Sequence, residues 1–205
     1  MTGHDPRAVD ISATERMNAN LTSVLGEHVE LTTDSLRAGV AGRDGFAAAT
    51  AALDANTAAL TDLMAGAVGN RRAAKVATLW SAGVDQQLRY ALAVAERDDA
   101  ARRSVREDLL DTAERLGAKM ARVTDGGTDE IAVTEALRSQ QVLQLDQLDA
   151  YARGDYASAA DSSTTAHHRI ADLAGMLADA FVVAAAERMP GGGADTGGGG
   201  TATTP

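Results

Sequence analysis

Apolar residues recur along this chain at spacings of three and four, the period of a helix that buries one face. In the first segment Met17, Leu21, Val24, Leu25, His28, Thr32 and Leu36 share a side, and Ser12 with Glu15 makes a capping-box pair at its start. Gly42 ends it, and Asp44 is placed to cap a second helix whose Phe46, Ala49, Leu53, Asn56, Leu60, Leu63 and Ala67 align. Gly69 and Asn70 stop that helix. A third presents Val76, Leu79, Trp80, Gly83, Gln87, Tyr90, Ala91 and Val94. After a turn at Asp98 and Asp99, a fourth carries Val105, Leu109, Thr112, Leu116, Met120 and Val123. The segment Thr124 to Thr128 reads TDGGT and is a loop. The fifth helix aligns Ile131, Thr134, Leu137, Gln141, Leu145, Leu148 and Ala152. Past Gly154 and Asp155, the sixth aligns Ala160, Ser163, Ala166, Ile170, Leu173, Leu177 and Phe181.

No segment alternates with the two-residue period of a strand, so the chain reads as all-α. The pattern predicts an antiparallel bundle of about six helices in three tandem hairpins, over 12–68, 71–123 and 128–189. A disordered start over 1–11 and a flexible glycine-rich tail over 190–205 complete the expected organisation. The hairpins also align on one another. Leu53, Leu60 and Met64 recur as Leu109, Leu116 and Met120 at one constant offset, with Met176 a further step on. His28, Gly83 and Gln141 take corresponding inward places, which points to a hairpin copied three times.

Composition narrows the function. Only 3% of the 205 residues are aromatic, so leucine, valine, methionine and alanine must fill the core. The net charge of -10 repels phosphate backbones and anionic lipid, so neither nucleic acid nor a membrane surface is expected. The basic clusters Arg71, Arg72, Lys75 and Arg102, Arg103, Arg106 stand among acids and read as solvated helix faces. With no cysteine there is no disulfide, thiolate metal site or thiol nucleophile. The longest apolar stretch, Ala180 to Ala186, is too short to span a bilayer. If Met1 is the natural start, the lack of a signal-peptide pattern implies a cytoplasmic protein; export is the alternative if a leader was removed.

The candidate chemistry is a polar layer inside an aliphatic bundle: His28, Asn56, Gln87, Thr112 and Gln141 all fall on inward faces. Buried polar groups must find partners, so they form either an internal hydrogen-bond network or the lining of a ligand or metal pocket that uses His28 and His167. His167 and His168 diverge by about 100° on a helix. His168 faces out, one turn before Asp172. No Glu-x-x-His pair precedes any histidine, and the methionines are scattered. There is no glycine-rich phosphate loop and no nucleophile elbow, so no catalytic residue is assigned.

Leu25-x-x-His28-Val29-x-Leu31-Thr32, Leu79-Trp80, Tyr90-Ala91, Gly154-Asp155-Tyr156 and His167-x-x-Ile170-Ala171-Asp172 follow one another in order. In these motifs the chain resembles a family of bacterial helical-bundle proteins made of repeated hairpins, over about Leu21 to Val183. Many members of that family look exported. The resemblance implies the hairpin fold and assigns no activity. Where the family commonly has inward histidines, after Leu-Trp and at the opening of the last hairpin, this chain has Gly83 and Gln141 (or Gln140). Only His28 and His167 match.

The sequence thus supports a non-enzymatic helical-bundle protein that works by binding or scaffolding, with a protein partner or a second copy of itself. No cofactor is expected. The alternative is a bundle that binds a metal ion or small ligand through His28 and His167.

Overall fold

A computed structural model describes residues 11–42 and 45–188. His4, Asp44, residues 1–10 of the start expected to be disordered over 1–11 and the expected tail at 190–205 lie outside the described residues, while Ile11 already belongs to the first helix. Six helices follow in order: α1 (Ile11–Val40), α2 (Phe46–Val68), α3 (Asn70–Glu96), α4 (Asp99–Val123), α5 (Glu130–Ala152) and α6 (Tyr156–Arg188).

The boundaries fall where local chemistry sets them. Gly42 and Gly69 take left-side φ values of 59° and 86°, which only glycine adopts without strain. Gly69 alone separates α2 from α3. The Asp98 carboxylate accepts from the amides of Ala100 and Ala101, and Asp129 does the same for Ile131 and Ala132. Each side chain satisfies amides that the first turn leaves without partners. Ser12 lies inside the first turn of α1, since that helix already includes Ile11. In the TDGGT loop, the buried hydroxyls of Thr124 and Thr128 bond each other at 3.0 Å.

Short connections make successive helices antiparallel, and each packs on the next. α6 returns to α1 and closes the ring, while α1, α3 and α5 touch one another inside it. The three hairpins of the sequence reading are therefore neighbouring pairs of one closed bundle. α4 and α5 approach closely at Gly117, where an added Cβ would stand 3.0 Å from the Thr134 Cα.

Two apolar clusters make up the core. The larger joins Leu25, Val29, Trp80, Val84, Leu116, Leu137 and Phe181; the smaller joins Leu36, Tyr90, Ala91, Leu109, Leu145 and Leu148. On each of four helices a buried polar residue separates them: Thr32 between Val29 and Leu36, Gln87 between Val84 and Tyr90, Thr112 between Leu109 and Leu116, Gln144 between Leu137 and Leu148. The aliphatic interior is cut by a polar seam.

The third hairpin departs from the pattern shared by the first two. Leu53, Leu60, Met64 and their counterparts Leu109, Leu116 and Met120 are buried, but Met176 is 37% exposed, and Leu177 beside it takes the core position. Phase also slips at the ends of α5 and α6: Ile131 is 71% exposed, and Ala152 and Ala160 face solvent while Ala159 is buried.

Candidate functional site

The polar seam holds a small cavity of about 20 Å³, room for about one water molecule. His28 from α1, Trp80, Gly83 and Gln87 from α3, Thr112 from α4, and Gln140, Gln141 and Gln144 from α5 line it. Gly83 contributes open space: a Cβ there would meet nothing nearer than the Thr112 methyl at 3.9 Å.

Asn56 fixes the state of His28. Its amide nitrogen donates to the Val24 carbonyl at 3.0 Å and the Glu27 carboxylate at 3.1 Å, two groups that can only accept. The amide oxygen therefore faces His28, and the Nδ1–H of His28 donates to it at 3.1 Å. That tautomer leaves Nε2 as an acceptor on a ring that lines the cavity and sits edge-on to Trp80, centroids 5.0 Å apart. Burial lowers the His28 pKa from 6.5 to about 4, with the Asn56 bond opposing, so the imidazole is neutral near pH 7.

Across the cavity the Gln87 amide donates to the side-chain oxygens of Gln141 and Gln144. Gln140 is buried, and neither atom of its amide has a protein partner; the Trp80 indole N–H and the Gln87 amide oxygen are likewise unpaired. Unpaired groups of this kind cost about 1–3 kcal/mol each unless a guest bridges them.

Of the expected layer, His28, Asn56, Gln87 and Thr112 are buried, and Gln141 lines the cavity while half-buried. Sequence reasoning missed Gln144 and Gln147 and named Gln140 only as the alternative to Gln141; all three occupy the buried face of α5. Their three- and four-residue spacing was the available signal; its polarity concealed it.

His28 and His167 do not share a partner. His167 is half-buried on α6, its Nδ1 2.9 Å from the Ser163 carbonyl of its own helix and its Nε2 3.5 Å from Glu30 of α1. His168 and Asp172 are exposed and make no ion pair with each other. Among the described residues no three His, Cys, Asp or Glu side chains gather as a metal would require. No protein-family model, curated protein or solved structure matches the chain. Geometry alone carries the functional argument.

The surface is sorted by charge in a way the sequence did not suggest. At one end of the α3–α4 pair, Arg102 bridges Asp99 and Asp149 at 2.9 and 2.8 Å, and Arg106 meets Asp146. Asp149 also accepts from the Tyr90 hydroxyl at 2.9 Å. Burial, then the charge of Asp149, raises the pKa of that hydroxyl. At the other end, Lys75 of α3 and Arg115, Lys119 and Arg122 of α4 line an open groove that contains no carboxylate. Among the described residues no helix is long and apolar enough to cross a membrane.

Proposed function

We propose that this protein is a non-enzymatic helical-bundle binder whose ligand or partner docks on the outside of the bundle. The size of the interior cavity carries this reading. About 20 Å³ admits roughly one water, far below the several hundred Å³ of a usual substrate pocket. The buried imidazole is held neutral by burial, with its tautomer set by Asn56, and no carboxylate lines the cavity beside it. The polar seam then serves to fix helix register, since Asn56 meets His28 and Gln87 meets Gln141 and Gln144 across helix boundaries. Native mass spectrometry and elemental analysis of the natively purified chain test the reading: the expected mass is that of the polypeptide alone, and the thermal midpoint is indifferent to EDTA. A stoichiometric bound metal would overturn it.

One observation favours a second reading, a small-ligand site in the same seam. His28 Nε2 as acceptor and the unpaired Gln140 amide suit a single small guest that both donates and accepts. His167 has no part in it. Binding of such a guest would be lost in both His28→Leu and Gln140→Leu.

A further inference from the structure

We propose that the groove between α3 and α4 binds a short chain of linked phosphates. This inference rests on the reading of the protein as a binder that works from its surface, and it names the ligand class.

The groove, about 560 Å³, is lined by Lys75 and Thr78 from α3 and by Arg115, Lys119 and Arg122 from α4, with Leu79 in its floor. Spacings of three and four put the α4 cations on one face, and antiparallel packing sets them against the start of α3. The Arg72 guanidinium, 3.0 Å from the Val123 carbonyl and paired with Asp125 at 2.6 Å, pins the end of α4 to that start. The chain's two lysines are both here, in a protein of net charge -10. Among the described residues Lys75, Lys119 and Arg122 make no ion pair, and Arg115 only a long one of 3.7 Å to Asp111, both largely exposed.

Lys75 also borders a second hollow with Arg71, Arg72 and Arg188. Arg188 is held there by the Ala65 and Ala67 carbonyls at the end of α2. No side chain caps the first turn of α3, which opens into the same hollow, so its positive end adds to the field. Asp125 compensates Arg72, but gathering Lys75, Lys119 and Arg122 without ion pairs costs stability, and a surface selected only for solubility interleaves its signs. Here the cost is offset when an anion binds.

The α4 cations run along roughly 10 Å, about two turns of helix from Arg115 to Arg122, and Lys75 of α3 stands beside them. A lone phosphate meets one or two of them, whereas a chain of linked phosphates meets the row, with lysines as point charges and arginines as forks. A long nucleic acid would extend over the acidic remainder of the surface and be repelled. An acidic peptide brings one carboxylate per residue on a backbone that must be ordered on binding, whereas linked phosphates offer each cation several oxygens on a short chain.

Calorimetric titration of the full chain with tripolyphosphate in about 150 mM salt, where surface pairs are screened, tests the proposal. The expected result is one site, at least tenfold weaker for inorganic phosphate. ATP binding as tightly or more tightly supports it and separates a free phosphate chain from a nucleotide source. Lys75→Ala with Lys119→Met, the methionine keeping the half-buried stem packed, should weaken binding tenfold or more with the circular dichroism spectrum unchanged. Arg103→Ala at the opposite end should leave it intact. No binding, an equal loss in Arg103→Ala, or tighter binding of oligoglutamate or a short single-stranded RNA would overturn the proposal. Phosphate release during the titration would instead count against the non-enzymatic reading, so the two failures can be told apart.

Discussion

The two ends of the α3–α4 pair use the same residue types to opposite effect. Near the Asp98 turn, Arg102 and Arg106 lie against Asp149 and Asp146 of α5, and Arg102 stacks over Tyr90, 5.8 Å from its centroid. Near the opposite end, Lys75, Lys119 and Arg122 find no carboxylate within reach among the described residues. The difference lies in the neighbours. α5 presents Asp146 and Asp149 toward one end, while at the other Asp125 meets Arg72 at 2.6 Å and Lys75, Lys119 and Arg122 are left without an ion pair among the described residues. A matched end ties α5 to the α3–α4 pair; the unmatched end is where the proposed anion would bind.

Mutation should break the comparison unequally. Asp149→Ala should have the largest effect, about 3 kcal/mol in denaturant unfolding, because its carboxylate is only 16% exposed and serves both Arg102 and Tyr90. Asp149→Asn should recover part of this by keeping a bond to Tyr90. Gly117→Ala should cost about 2 kcal/mol, since its methyl would collide with Thr134 and push α5 from α4. Gly83→Ala, with nothing nearer than 3.9 Å, should instead stabilise by about 1 kcal/mol through helix propensity. A cost at Gly83 as large as that at Gly117 would contradict the described packing.

The polar seam provides a pH test independent of both ends. The folded-state pKa of His28 lies below its unfolded value, so the unfolded chain binds the extra proton between pH 6.5 and about 4. Stability should therefore fall as pH drops through that window, by about 2 kcal/mol between pH 7.5 and 5. In His28→Leu this component should vanish, leaving a flatter profile. The smallest effect belongs to the unmatched end: Lys119→Met should change stability by less than about 0.5 kcal/mol, and added salt should raise wild-type stability slightly.

Most of the architecture was legible because α1 through α4 bury aliphatic stripes of helical period, and glycines and aspartates mark their ends. The inward places of His28, Asn56, Gln87 and Thr112 followed from the same phase. α5 misled in part: Leu137, Leu145 and Leu148 are buried as expected, but the rest of its buried face carries Gln140, Gln144 and Gln147, and the apolar Ile131 is exposed. The basic groove could not be read from a linear pattern at all. Arg71, Arg72 and Lys75 looked solvated until α4 set a second row beside them, and Arg102 looked solvated until α5 supplied its partner. Helical period tells which face turns inward, but only packing tells which charges meet.

Side-chain NMR of lysine ammonium and arginine guanidinium groups tests the contrast most directly, with tripolyphosphate added at constant ionic strength. Shifts should be confined to Lys75, Arg115, Lys119, Arg122 and their neighbours around Arg71, with Arg102 and Arg106 unmoved. Equal shifts at both ends, or none at the lysines, would contradict the division of the surface into a matched and an available end.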